Sequence, residues 1–176
     1  MTRYEYVGRK EIRKSVEGQA SGLLVSNCND ILRWLRETGQ PVTSDRKITA
    51  TFVVDQEGAL RLAHRRSEHV ACAGGRAVLS AGEMTFSLET SELRISSVTN
   101  QSTGYCPPPS SWVHVAAALD RIGIRHPGGF TTEFIFRRCP RCRELGIVKD
   151  DWYVCEFCGS ELPSAWNVSP VAGESG

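Results

Sequence analysis

No long apolar run interrupts this sequence, and charge of neither sign dominates it. A membrane-spanning helix needs roughly 20 consecutive apolar residues, and no stretch approaches that length. Lys and Arg number 21 against 20 Asp and Glu, a formal net charge of +1. So even a balance gives neither the broad positive field of a strong nucleic-acid binder nor that of a membrane-surface protein. Residues 1–14 mix Arg, Lys and Glu without an apolar core, so no secretory leader is expected. With no export signal, the seven cysteines read as thiols or metal ligands rather than disulfides, and the expected compartment is the cytoplasm. Internal repeats and low-complexity tracts are also missing. What remains, at 176 residues and 40% apolar content, is enough for one sizeable core with a small appendage.

Four of the cysteines are grouped. Cys139-Pro140-Arg141-Cys142 and Cys155-Glu156-Phe157-Cys158 are separated by twelve residues. Two Cys-x-x-Cys pairs at this separation supply four thiolates from two tight bends, the donor set of a tetrahedral structural Zn²⁺. Four sulfurs leave no coordination position for water, so the expected Zn²⁺ is structural, not catalytic. Gly159, directly after the second pair, suits a bend that needs positive φ. Arg137, Arg138, Arg141 and Arg143 crowd the first pair and are the candidate nucleic-acid contacts. Across residues 137–163, however, five basic residues meet five acidic ones, which describes a basic edge at most.

Upstream, hydrophobic periodicity and turn residues set out an α+β pattern. Residues 3–8 alternate like a short strand, and residues 23–25 read as a buried one. Asn27, Asn29 and Asp30 offer N-caps for a helix over residues 31–38, with Ile31, Trp34 and Leu35 on one face and Gly39 and Pro41 ending it. Residues 48–55 and 59–63 form a hairpin about Gly58, and residues 77–87 and 93–99 form a second strand pair. Gly82, inside the first of these strands, signals a bulge or a close backbone approach. The prolines at 107–109 make residues 100–109 a rigid connector. A helix then runs to Ile122, stopped by Gly123. Residues 131–137 form a strand leading into the first cysteine pair and are expected to join the sheet. Residues 152–154 form another, and Leu162 and Trp166 are expected to cover the metal site. The expectation is an antiparallel sheet with two helices on one face, followed by a C-terminal zinc ribbon. The units are residues 1–130, 131–167 and a tail from 168 to 176.

A second group of reactive side chains lies on loops. His64, Glu68, His69 and Cys72 share one Gly-containing segment, Glu83 follows Gly82, and Asn100, Ser102, Thr103, Tyr105 and Cys106 fill the connector. These residue types admit a pocket with His69, Glu83 and Tyr105 as catalytic groups, an activated Cys72 or Cys106, or a second metal site. The bland reading is the stronger one, with both cysteines as core fillers and Tyr105 packing its ring while its hydroxyl caps a turn. Cys28, near a helix start, has the same two readings.

Two resemblances attach to these motifs. Residues 139–166 resemble a rubredoxin-type zinc ribbon over about a sixth of the chain. More distantly, His69-Val-Ala-Cys-Ala-Gly-Gly, Ser80-Ala-Gly-Glu83 and Ser102-Thr-Gly-Tyr105 with Pro107 resemble a pattern in plant IQ-motif-containing proteins and in uncharacterised bacterial proteins. This chain departs from it in having Thr103 before Gly104, no His before Tyr105, and no counterpart of the calmodulin-binding segment. The resemblance implies one α+β unit over residues 48–123 and carries no catalytic roles across. The expected function is a zinc-stabilised binding or adaptor protein with a protein or nucleic-acid partner and no membrane partner. The alternative is a small enzyme with its pocket between the 64–75 loop and the 100–107 connector.

Overall fold

A computed structural model describes residues 2–18, 22–88 and 91–170. Its centre is β2 (Lys47–Val54), where residues 50 to 54 are all buried because both faces of the strand are covered. Ile48, Ala50, Phe52 and Val54 point to one side. They meet Ile31 and Leu35 of α2 (Cys28–Glu37) and Val115, Ala118 and Leu119 of α4 (Trp112–Ile122). Val53 points the other way, into a smaller core with Val70, Cys72, Ala81 and Tyr105. The two-residue period of a strand is what serves both cores from one segment.

Around β2 the sheet is antiparallel throughout, in the order β1-β3-β2-β4-β5. The strands are β1 (Leu23–Val25), β3 (Leu60–His64), β4 (Ser80–Ser87) and β5 (Arg94–Val98). The expected hairpin is present as β2 and β3, with Gly58 at φ 81° in the turn. Asn27 is the residue that caps α2. Its side chain accepts from the Asp30 N–H, and the Asp30 carboxylate accepts from the Asn27 N–H in return. Gly123, left-handed at φ 79°, closes α4. Both principal helices lie on the same face, as expected.

Three local expectations differ from the structure. Residues 3–8 contribute only one bridge, Tyr4 to Val78, and are followed by a short helix, α1 (Lys10–Val16). That helix was invisible to periodicity because Val16 is its only buried residue. A one-turn helix, α3 (His69–Cys72), occupies the loop after β3. The segment before the first cysteine pair meets the sheet through a lone parallel bridge, Thr99 to Thr132. Its strand proper, β6 (Ile135–Arg138), pairs with β7 (Leu145–Val148).

Gly82 marks the close approach its position in the strand suggested. A Cβ there would collide with the Thr99 carbonyl oxygen and come within 3.0 Å of the Asn100 Cα. Backbone lies on the other side of the contact, so nothing flexible can yield. Gly82→Ala is expected to destabilise the fold by about 3 kcal/mol, as overpacking against backbone does. Urea denaturation of the full chain measures it; a loss below about 0.5 kcal/mol would contradict the packing described.

Candidate metal centre

The four clustered cysteines converge. Their sulfurs all lie within 4.8 Å of one another, and among the described residues they are the group of His, Cys, Asp and Glu so gathered. Cys139 and Cys158 stand 3.6 Å apart, as do Cys142 and Cys155. A tetrahedron with Zn–S bonds of ~2.3 Å has edges of about 3.8 Å, so the donor set fits one such ion in both chemistry and size. Four sulfurs of this arrangement could hold a metal ion.

The two bends that present them are copies of one another, sixteen residues apart. The Cys139 N–H donates to Glu144 and the Cys155 N–H to Ser160, while Arg143 donates back to Cys139 and Gly159 back to Cys155. Each bend requires a left-handed residue after its second cysteine, Arg143 at φ 69° and Gly159 at φ 72°. Backbone N–H groups are aimed at the sulfurs. The Cys142 N–H, aided by Arg141, lowers the Cys139 thiol, and the hydroxyl and N–H of Ser160 bring Cys158 down to about 6. Cys142 is the opposite case. The Glu144 N–H favours its thiolate, but burial and the neighbouring sulfurs push it up to about 12. Sulfur anions packed this tightly repel, and a cation among them removes the conflict.

The arginines around this centre divide by role. Arg137 is buried, donating from Nε to the Pro163 carbonyl at 2.9 Å, from Nη1 to Phe136 at 2.8 Å and from Nη2 to Ser164, with its guanidinium over the Tyr153 ring. Arg138 donates to the Arg143 carbonyl at 3.0 Å. Arg141 and Arg143 are exposed. Of the two residues expected to cover the metal site, Leu162 does pack against Cys139 and Cys155. Trp166 instead turns to the sheet domain, edge-on to Tyr4 and donating to the Cys106 carbonyl at 2.8 Å. Asn167 takes both backbone groups of Arg138, accepting from its N–H and donating to its carbonyl. Val168 is buried beside Cys106 and Phe136. Residues 163–168 thus form a strap from ribbon to body. Its partners lie 26 or more residues away, so spacing gave no sign of it.

In the body, the structure assigns most of the loop cluster to structural hydrogen bonds. His69 bonds through Nε2 to the Gly82 carbonyl at 2.9 Å. A carbonyl only accepts, so this nitrogen carries the proton. Burial lowers the His69 pKa, against the opposing pull of the Gly82 carbonyl and of the Glu83 and Glu68 charges. The imidazole is therefore neutral at neutral pH. Tyr105 is fully buried, its hydroxyl donating to the Arg76 carbonyl at 2.6 Å, and desolvation raises its pKa. Glu83 is half-buried on β4 opposite Thr51. Asn100 donates to the carbonyls of Pro107 and Phe134 and accepts from the Phe134 N–H. Burial pushes the Cys72 and Cys106 thiols up to about 12, the reverse of an activated nucleophile. The Cys28 thiol faces the Ile122 carbonyl, and His64 accepts from the Arg66 N–H. Comparison with protein-family models, with curated proteins and with solved structures returns no match, so the upstream resemblance gains no support there.

Two measurements follow. His69→Ala is expected to cost about 1–2 kcal/mol at pH 8 through the lost hydrogen bond and packing. Because the folded pKa of His69 lies below its unfolded value near 6.5, that stability is present above the unfolded value and fades as pH falls. The gap between wild type and variant should narrow from pH 7 to pH 5 in urea titrations, and a constant gap would show that the imidazole is not buried neutral. In the two bends, Gly159→Ala should cost about 1–2 kcal/mol and Arg143→Gly should not destabilise, because a left-handed φ penalises any Cβ. Thermal denaturation of the two variants compares them directly.

Proposed function

We propose that the chain is a binding protein whose C-terminal ribbon is stiffened by one structural Zn²⁺ bound to Cys139, Cys142, Cys155 and Cys158, and that this ribbon contacts a protein partner. The supporting observation is the exposure of large apolar side chains on that small unit. Of the seven exposed large hydrophobics among the described residues, Trp152, Val154 and Phe157 lie within six positions, with Trp152 69% and Phe157 59% exposed. Aromatic side chains presented on a rigid scaffold are typical binding anchors, because little conformational entropy is lost when they dock.

Charge favours a protein over a nucleic acid as that partner. With Arg137 turned inward, residues 137–163 keep four basic side chains (Arg138, Arg141, Arg143, Lys149) against five acidic ones (Glu144, Asp150, Asp151, Glu156, Glu161). Asp150 and Asp151 directly precede Trp152, and Glu156 precedes Phe157. Carboxylates beside the exposed rings repel phosphates and suit a partner with basic groups around an apolar patch. The enzymatic alternative needs His69, Glu83 and Tyr105 to meet one substrate. The buried ring of Tyr105 and its engaged hydroxyl weigh against that reading.

Metal analysis of the purified chain is expected to give one zinc per molecule. Chelation should release it and unfold the ribbon, seen as loss of dispersion in the amide spectrum of residues 135–168. A partner captured by the wild-type chain should be lost with Trp152→Ala/Phe157→Ala and kept with Arg141→Ala/Arg143→Ala. Loss with the arginine pair alone, together with steep weakening by salt, would transfer the assignment to nucleic acid.

A further inference from the structure

Away from the ribbon, a cleft of about 560 Å³ opens between α2 and the ends of the sheet strands. Its walls are Leu32 and Leu35 from α2, Ile48 from β2, and Leu88 and Leu93 from the segments flanking the β4–β5 turn, with Val42 half-exposed at the rim. The size falls within the roughly 300–1,000 Å³ of small-molecule sites. Among the described residues no aromatic side chain lines it, so these walls offer no stacking platform for a nucleobase.

Among the described residues, the charged side chains at this cleft are of one sign. Arg36 and Arg46 line it, and among the described residues no lining residue is acidic. Several other cations of the chain sit against carboxylates: Arg33 with Asp30, Lys47 with Asp45, Arg61 with Asp55 and Arg125 with Glu92. Among the described residues, the Arg36 and Arg46 guanidiniums have no carboxylate within ion-pair distance. Arg46 is also fixed in place. Its backbone, left-handed at φ 54°, donates to the Thr43 carbonyl and accepts from the Leu88 N–H, tying the loop before β2 to the end of β4. Gln40, the remaining long polar side chain, is spent internally, donating to the Thr49 carbonyl and accepting from the Arg65 N–H.

We infer that this cleft binds a free aliphatic carboxylate, its hydrocarbon chain among the leucines and Ile48 and its carboxylate against Arg36 and Arg46. A guanidinium matches a carboxylate in geometry as well as in charge. The apolar wall discriminates by chain length, since each buried methylene is worth about a fourfold gain in affinity. The two parts together specify an amphiphilic anion and exclude an amphiphilic cation of equal length.

Titration calorimetry on the full chain with octanoate, decanoate and decyltrimethylammonium, each below its micellar concentration, tests this assignment. Decanoate is expected to bind saturably, one molecule per chain, and about fifteenfold more tightly than octanoate. Arg36→Gln/Arg46→Gln should weaken decanoate at least about tenfold, both guanidiniums being exposed and outside the core. Val42→Asp, which places a like charge at the rim, should weaken it as well. Circular dichroism confirms that each variant is folded. Equal binding of the cation, affinity independent of chain length, unchanged affinity in the arginine variant, no saturable binding, or binding only to phosphatidylglycerol vesicles would each overturn it.

Discussion

The mutual proximity of four sulfur atoms is the constraint on which the C-terminal ribbon of this structure rests. The ribbon has two four-residue strands and a core made largely of the cysteines themselves with Val148 and Leu162. So small a core cannot offset the conformational entropy of the segment that builds it. A cation bound by the sulfurs would turn their repulsion into the main cohesive force. The repeated bends hold that geometry, and the inward Arg137 ties the returning chain at Pro163 and Ser164 to β6.

The body solves a different problem, how to cover both sides of a central strand with short elements. On one face two amphipathic helices suffice. On the other the cover is piecemeal: the single turn of α3, the N-terminal segment around Tyr4 and the connector bearing Tyr105. Such pieces bury little apolar surface each, and polar side chains bonded to backbone carbonyls tie them down. His69 reaching Gly82 and Tyr105 reaching Arg76 are the clearest cases. Residue types that suggest catalysis on paper serve here to anchor loops.

How far the fold could be read in advance follows from the range of each signal. The paired cysteines, the Gly58 hairpin, the Asn27 cap and the Gly123 stop are encoded within a few residues, and each stands where its neighbours put it. Gly82 was legible as a close approach because the absence of a side chain inside a strand is itself a local mark. The identity of what approaches, Thr99 and Asn100, was not. Arg137 illustrates the limit: four arginines in seven residues look alike in sequence, and only the return of Pro163 and Ser164 decides which one is buried. The turning of Trp166 toward Tyr4 depends likewise on a partner far along the chain.

Asn100 and Asn167 treat β6 in the same way from its two sides. Each carboxamide presents one donor and one acceptor to a single residue, Phe134 before the strand and Arg138 at its end, as a neighbouring peptide group would. The strand is held at both extremities, and the segment leading to it from α4 meets the sheet edge through two isolated bridges, Arg125 to Arg94 and Thr132 to Thr99. The amide of Asn100 thus extends the hydrogen bonding of the body into the segment that opens β6, and the amide of Asn167 closes the strand against the strap that returns, through Trp166, to Cys106.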